Sequence, residues 1–318
     1  MKARDVFGSD EIRELTRCSD TAGFWAVGST WASIGATFVV LARFPHPVVF
    51  VLAVVILGGR QLALAILMHE AAHRTLFKRR VLNDVFADWT CARPMMTDVA
   101  SYRRHHLQHH THTNTALDPD LSLVDPFPTT RASIARKFTR DLVGATGLKR
   151  AVGQVLINFE VLEYTVSNEV RRRPRNGRRL GQYLRAGTKN TFAFVLTNLA
   201  IAGLLAATGH LWVYSAWIVA NLTTFNLFLR IRSFAEHACT ERSSEPLRNT
   251  RTTRAGVLAR LTVAPWHVNY HLEHHLITAV PYFRLPAMHQ LLRQRGIVPP
   301  PPGYGAVIAL VSGASGGA

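Results

Sequence analysis

The sequence predicts an all-helical protein that is integral to a membrane, and three observations support this fold class. Of its 318 residues, 48% are hydrophobic and 18% are charged, below the roughly 25% of charged residues usual in soluble domains. Four apolar stretches reach the length of a bilayer-spanning helix, about 20 residues. Histidine is abundant, at 15 residues, and most of it falls in tight groups. The three cysteines are far apart, which excludes a disulfide scaffold, a CxxC zinc ribbon and a self-contained iron–sulfur centre.

The four apolar stretches predict four transmembrane helices arranged as two hairpins. They cover about residues 24–42, 48–68, 190–208 and 211–229. The connector within each pair has only a few residues, so each pair is expected to cross the membrane and return. Arg60 lies inside the second stretch. Since a charge is costly in hydrocarbon, we expect Arg60 to face the helix bundle or to extend toward the interface.

The distribution of positive charge predicts the orientation. Lys and Arg total 37 against 20 Asp and Glu, and apart from Arg43 and Arg60 they lie in segments 1–23, 69–189 and 230–318. Four spans place these segments and both termini on one side. The positive-inside rule makes that side cytoplasmic, as at a bacterial inner membrane. The basic run 171–179 fits orientation and contact with anionic lipid. No aromatic residue interleaves with it, so nucleic acid is not an expected partner.

The histidines form groups that predict a metal site. His69 and His73 share one helix face in HEAAH, HLQHH covers residues 106–110, HLEHH covers residues 271–275, and His237 follows the fourth stretch. HLQHH and HLEHH share the spacing HxxHH, which predicts a stripe of histidines along a helix. Neutral imidazole is a ligand suited to iron, zinc, copper and nickel. The number of grouped histidines is enough for two metal ions.

HEAAH by itself also fits another class of enzyme. HExxH on a helix is the signature of zinc metalloproteases, with Glu70 as the general base. A catalytic zinc site needs only three protein ligands and a water molecule, so a protease would leave both HxxHH groups unexplained. A membrane zinc protease and a non-catalytic metal-binding membrane protein stay as distant alternatives.

Taken together, the three histidine boxes resemble the membrane fatty acid desaturase–hydroxylase superfamily. The resemblance covers roughly residues 48–290, with the boxes in the expected order around two membrane hairpins. Tyr102-Arg103, Asp118-Pro119-Asp120 and Glu236-His237 also fit it. It implies one desaturase-like membrane domain over residues 1–290, with a helical cytoplasmic cap that carries a histidine-rich di-iron site. Residues 291–318 are expected to form a partly disordered tail.

The resemblance implies a centre of two iron ions held almost wholly by histidine, with no further catalytic residue. The implied ligands are His69, His73, His106, His109, His110, His237, His271, His274 and His275. Three more histidines are doubtful as ligands, namely His105, His112 and His267. Buried ligand histidines need a partner for their second ring nitrogen. The candidates for such supporting contacts are Glu70, Asp118, Asp120, Glu236, Asn269 and Glu273.

This centre predicts O2-dependent chemistry on an unactivated C–H bond. The expected reaction is the introduction of a double bond into a lipid acyl chain. A hydroxylase or ketolase that acts on an acyl, carotenoid or hydrocarbon substrate is the alternative within the superfamily. The sequence has no cysteine cluster, no GxGxxG fingerprint and no haem motif, so an external ferredoxin- or cytochrome-type donor is expected to supply electrons. His46, His210 and His289 stand apart from the boxes, and replacing His289 is expected to leave activity and iron unchanged.

Overall fold

The computed structural model describes residues 3–167 and 169–313, and helices dominate it. Within these residues there is no strand, and β-type pairing is confined to the bridges Leu162–Arg172 and Arg254–Gly303. The prediction of an all-helical fold is therefore confirmed for the described chain. The α-helices of the described chain are α1 (Ala3–Val6), α2 (Ser9–Leu15), α3 (Asp20–Arg43), α4 (Pro47–His73), α5 (Val99–His112), α6 (Leu121–Val124), α7 (Arg131–Leu142), α8 (Ala145–Asn158), α9 (Leu180–Ala207), α10 (Tyr214–Leu222), α11 (Thr224–His237), α12 (Pro246–Asn249), α13 (Val257–Leu261), α14 (His271–Leu276), α15 (Leu285–Gln294) and α16 (Tyr304–Val311). Short π-helical turns cover Leu82–Phe86 and Asp88–Ala92, and 3₁₀ turns cover Arg93–Met95, Leu211–Val213 and Pro265–His267.

The first predicted hairpin is formed by α3 and α4, which pack against each other. The side chain of Ser19 accepts a hydrogen bond from the backbone of Ala22 at the start of α3. His46 caps α4, and Pro47 occupies its first turn, where a missing N–H is harmless. The second helix continues beyond the predicted end at residue 68 as far as His73. This extension carries the first histidine box on the last two turns of α4.

Three helical segments are long and apolar enough to cross a membrane, namely Ser9–Arg43, Pro47–His73 and Leu180–Ala207. The predicted fourth helix over residues 211–229 is not continuous. After a 3₁₀ turn it is divided into α10 and α11 at Thr223, whose φ and ψ are −117° and −91°. The prediction of four transmembrane helices is therefore not confirmed: among the described residues three helices are long and apolar enough, and the fourth segment is broken.

Polar side chains explain why the fourth segment can break. Arg150 of α8 donates to the backbone oxygen of Asn221 at 3.2 Å and to the side-chain oxygen of Asn226 at 3.0 Å. The Asn226 amide also donates to the Asn221 carbonyl, at 2.8 Å. A helix break at membrane depth is tolerated where protein or a polar cavity satisfies the freed backbone groups. Apolar composition predicts the segment but carries no sign of these distant partners.

The structure places Arg60, expected to face the helix bundle or extend toward the interface, against the backbone of another helix. Its guanidinium donates to the carbonyl oxygen of Leu261 at 2.9 Å, at the end of α13. The neighbouring Gly59 allows this approach, because a Cβ there would lie 2.1 Å from the same oxygen. Val257 and Leu258 on α13 stay exposed. The C-terminal end of α13 is thus attached to α4 through the Arg60 guanidinium, although α13 has no buried residue.

Both terminal regions pack onto the rest of the fold. Phe7 and Leu15 share a core with Leu272 of the third histidine box. In the predicted tail, α16 buries Val307 and Val311 beside α11. The tail is thus helical in part, while residues 314–318 lie outside the described residues. The domain boundary at residue 290 stays a prediction.

Candidate metal centre

Four helices, α4, α5, α11 and α14, bring the histidine boxes and His237 to one place. Asp98 caps α5 by accepting a hydrogen bond from the backbone of Ser101 at 2.7 Å. Arg103, one turn later, donates to the carbonyl oxygens of Ala72 at 2.7 Å and Ala71 at 2.9 Å, at the end of α4. These bonds fix the second box against the first. The end of α11 supplies His237, and α14 supplies the third box.

The ring nitrogens of the nine implied ligands lie in two groups, and within each group they are all within 4.8 Å of one another. The five-histidine group is His69, His73, His106, His110 and His274. The four-histidine group is His109, His237, His271 and His275. The structure thus brings together all nine residues that the sequence singled out.

Each HxxHH box divides its histidines between the two groups. In the second box, His106 and His110 belong to the five-histidine group and His109 to the other. In the third box, His271 and His275 belong to the four-histidine group and His274 to the other. On a helix, residues four apart point within about 40° of each other, whereas the middle histidine of each box is rotated by about 60° from the first and by about 100° from the last. The single stripe expected from the spacing is therefore split into a pair and a separate ligand.

The donor sets fit metal ions. The Nε2 atoms of His106 and His110 lie 3.0 Å apart, those of His110 and His274 3.1 Å, and those of His237 and His271 2.8 Å. Imidazole nitrogens at about 2.1 Å from a common ion lie roughly 3 Å from each other. Several buried ring nitrogens have no hydrogen-bond partner in the described chain, namely Nδ1 and Nε2 of His69, Nε2 of His73 and Nε2 of His275. Converging imidazoles with unpartnered nitrogens are suited to a cation between them.

Burial keeps most of these imidazoles in the neutral form that binds metal. It lowers the pKa of His237 to about 3 and takes the pKa of His271 and His275 well below the ordinary value. His109 is different. Burial opposes its charge too, but the hydrogen bond to Asp118 and the nearby carboxylates raise its pKa. The four-histidine group therefore contains one imidazole with a stronger basic character.

Polar contacts orient the rings of the four-histidine group from behind. His109 donates through Nδ1 to Asp118 at 2.8 Å, and His237 donates through Nδ1 to the carbonyl oxygen of Asn249 at 3.2 Å. Nδ1 of His275 lies 3.3 Å from the hydroxyl of Thr113. Such contacts fix which nitrogen is free to face an ion. The sequence indicated Asp118, but Asn249 and Thr113 carry no signal because backbone and hydroxyl partners follow from the fold.

The remaining carboxylate candidates have different surroundings. An oxygen of Glu236 lies 3.5 Å from Nδ1 of His271 and also accepts from Arg232 at 2.7 Å. Glu70 accepts from Thr75 at 2.8 Å and from the backbone of Tyr282 at 3.0 Å. It lies 3.7 Å from Nδ1 of His69. Glu236 and Glu70 therefore lie beside one group each, without a hydrogen bond to the neighbouring imidazole nitrogen in the described chain.

Glu273 faces away from both groups, although it lies inside the third box. It accepts from the hydroxyl of Thr252 and from Nδ1 of His289, the latter at 2.6 Å. Glu273 is fully buried. His289, expected to stand apart from the site, therefore holds a box residue in place. The sequence gives no sign of this contact, since the two residues lie on different helices.

The doubtful residues lie outside the two groups found in the described chain. His105 donates through Nε2 to Asp120 at 2.8 Å, and Asp120 in turn lies 3.8 Å from Nδ1 of His109. Asn269 donates to the carbonyl oxygen of Thr253 at 2.9 Å, so it braces the loop before box three. His112 and His267 join neither group.

A cavity of about 560 Å³ adjoins the metal centre. Three members of the four-histidine group line it, namely His109, His237 and His271, together with His106 of the other group. Apolar side chains of Met68, Met95 and Phe225 line it as well. The volume is in the range of small-molecule sites, about 300–1,000 Å³.

An all-helical chain with membrane-capable helices and two buried histidine groups beside a cavity has the features of a membrane metalloenzyme. The family model described as Fatty acid desaturase matches residues 45–302. The chain therefore belongs to the fatty acid desaturase family, whose members are oxidoreductases that use iron.

Two curated relatives are desaturases by name. The chain is 26% identical to dihydrorhizobitoxine desaturase of Bradyrhizobium elkanii over 262 aligned residues, and this alignment covers 81% of this chain and 70% of that protein. It is 23% identical over 239 residues to sn-1 oleoyl-lipid 12-desaturase of Synechocystis sp., which covers 71% of this chain and 63% of that protein. These identities support the family.

Proposed function

We propose that the protein is an O2-dependent di-iron desaturase that introduces a double bond into the acyl chain of a lipid. The observation that carries this proposal is the pairing of the five-histidine and four-histidine groups beside one cavity. One iron would be held by each group. When bound, the two ions supply the reduction of O2 and the oxidising power needed to remove hydrogen from an unactivated C–H bond.

The protein's own residues would hold the ligands in register and shape the substrate site. Asp118 keeps the His109 proton on Nδ1, and the Asn249 carbonyl does the same for His237, so that Nε2 of each ring faces inward. Met95 and Phe225 supply apolar cavity wall that excludes water and orients an alkyl chain. Sub-ångström placement of that chain over the four-histidine group would decide which C–H bonds are broken.

The proposal includes a substrate that arrives from the bilayer and electrons that arrive from a separate ferredoxin- or cytochrome-type protein. The net charge of +17 suits an acidic donor that docks on the cytoplasmic side. Both named relatives are desaturases, which supports double-bond formation over the hydroxylase or ketolase alternative. The zinc protease alternative loses its support, because His69 and His73 share their group with three further histidines instead of one more ligand and a water molecule.

Metal content and product identity test the proposal together. The protein, purified in lipid nanodiscs, is assayed for iron and zinc by elemental analysis and then supplied with reductant, a ferredoxin system, O2 and acyl lipids. We expect about two irons per chain, one for each group, and a product that has lost two hydrogens by mass spectrometry. A product that has gained oxygen would convert the assignment to a hydroxylase. Zinc without iron, after metal exchange during purification is excluded, would overturn it.

A further inference from the structure

The cavity beside the metal centre is lined by more cationic than anionic side chains, the anionic ones being Asp118, Asp120 and Glu236. Its cationic lining residues come from α7, α8 and α11, and they are Lys137, Arg140, Lys149, Arg150, Arg230 and Arg232. Arg230 precedes His237 by seven residues on α11, about 10 Å along the helix axis. The cavity thus connects the four-histidine group with a basic region one to two helical turns away.

Only two of these cations have a carboxylate partner within the described chain. Arg230 forms two bonds with the buried Asp141, and Arg232 pairs with Glu236 at 2.7 Å. The other carboxylates that line the cavity are also engaged, since Asp118 accepts from His109 and Asp120 from His105.

The other four cations have neutral partners or face open space. Lys137 donates to the Ser133 hydroxyl at 3.1 Å, and Arg150 donates to asparagine oxygens. Arg140 and Lys149 are exposed. Arg150 is half-buried, and burial lowers its pKa to about 10. A half-buried cation whose hydrogen-bond partners are all neutral gains a charge-assisted bond when an anion joins it.

The helix that carries Lys149 and Arg150 has two distinct faces. Leu148, Val152 and Val155 are exposed at helical spacing on one face of α8. Lys149, Arg150 and Gly153 line the cavity on the other. An amphipathic helix with an exposed apolar stripe and basic residues beside it is suited to lie at the boundary of acyl chains and lipid head groups. The basic end of the cavity would then lie at the level of the head groups.

We propose that Lys137, Arg140, Lys149 and Arg150 form a binding site for the anionic head group of the substrate, a carboxylate or a phosphate at the end of an alkyl chain. The chain extends from this site past Phe225 to the four-histidine group. Oxyanions form short, charge-assisted hydrogen bonds with Lys and Arg, and the fixed distance from the head to the metal centre selects the position of reaction. The reaction of the alkyl chain in this inference rests on the proposed desaturase function, whereas the binding of the head group does not.

Binding without turnover tests the site. The iron-containing protein in phosphatidylcholine nanodiscs is titrated, without reductant, with tritiated dodecanoate and tritiated dodecyl phosphate in a scintillation-proximity assay, and empty nanodiscs supply the background. Unlabelled dodecanol, dodecanoate and dodecyl phosphate serve as competitors. We expect saturable binding of at least one anion, with dodecanol at least tenfold weaker as a competitor. The tighter anion identifies whether the natural head is a free acid or a phosphate.

The variant Lys137→Gln/Lys149→Gln removes two charges from the site and leaves the histidine groups untouched. We expect its affinity for the tighter anion to fall about thirtyfold, since two charge-assisted bonds of about 1 kcal/mol each are lost. Arg172→Gln/Arg175→Gln removes the same charge from exposed positions that do not line the cavity and is expected to bind as the unmodified protein does. Unchanged iron content in both variants shows that the fold is intact.

Three results would overturn the site: competition by dodecanol as strong as by the anions, unchanged affinity in the lysine variant, or equal weakening in the arginine control. The last would mean that overall surface charge alone attracts the anion. If anion binding follows the expectation but no double bond forms, the desaturase proposal fails while the head-group site stands. If desaturation occurs without any preference for an anion, the head-group site fails alone.

Discussion

The two histidine groups differ in ways that their nearly identical sequence motifs do not suggest. The five-histidine group is packed mostly against other rings, for example Tyr102 stacked on His106 with centroids 5.1 Å apart. The four-histidine group has one ligand fewer, and a carboxylate, a backbone carbonyl and a hydroxyl hold its rings from behind. It also supplies three of the four histidines that line the cavity.

This difference indicates a division of roles between the two proposed metal positions. Catalytic metal sites keep an open coordination position, whereas structural sites are filled by protein ligands. Four ligands and a cavity leave room for O2 and substrate beside the four-histidine group. Five ligands enclosed by other imidazoles leave less room at the second position. We therefore expect substitutions and metal removal to affect the two groups unequally.

The largest effect is expected from the ligands themselves. His109→Ala and His73→Ala each remove one imidazole from a different group, and each should reduce desaturation at least a hundredfold, since even contacts behind a ligand are worth tenfold to a hundredfold. Iron analysis should show about one ion lost per chain in each variant. His210 lies before α10. His210→Ala is the control and should retain both desaturation and iron content. Full desaturase activity in His109→Ala would contradict the assignment of His109 as a ligand.

A smaller but selective effect is expected behind the four-histidine group. Asp118→Asn keeps the shape of a buried side chain that accepts from His109, Asn114 and the backbone of Asp120, but removes its charge. We expect a tenfold to hundredfold loss of affinity for one of the two irons, measured by competition with a calibrated chelator. Asp125→Asn, at an exposed position, should change nothing. An equal loss of affinity for both irons would contradict the proposed division of roles between the two histidine groups.

Removal of metal from the unmodified protein should separate the two positions in time. A chelator should release iron in two phases, about tenfold apart in rate, because an ion with fewer ligands beside a cavity is easier to reach. Stopped-flow absorbance of the chelate follows the release. In Asp118→Asn only the faster phase should accelerate. A single phase of release would argue that both ions share one environment.

The smallest effect is expected outside both groups, at the contact between His289 and Glu273. His289→Ala leaves a fully buried carboxylate with one fewer donor, a loss of about 1–3 kcal/mol. We expect a lower Tm in detergent with iron content nearly retained. Gln290→Ala, exposed on the same helix, is the matched control. A Tm equal to that of the control would show that Thr252 alone satisfies Glu273.

Much of the fold could be predicted because it follows from local rules. Apolar length predicts α3, α4 and α9, and the spacing of box histidines predicts their helices. The break at Thr223 could not be predicted, because the groups that satisfy it, above all Arg150, come from a helix more than 60 residues earlier in the chain. The contacts of Arg60 with Leu261 and of His289 with Glu273 are equally distant or fold-dependent.

The sequence by itself determined which residues are candidates to bind metal, because imidazole offers a donor nitrogen and helical spacing sets which side chains can converge. The tertiary structure decided how nine histidines divide into five and four. That division depends on the rotation and depth of α5 and α14 against α4 and α11, which packing and distant hydrogen bonds such as those of Arg103 establish. Spacing along one helix can place a ligand on a face, but only the packing of several helices determines which ion that face meets.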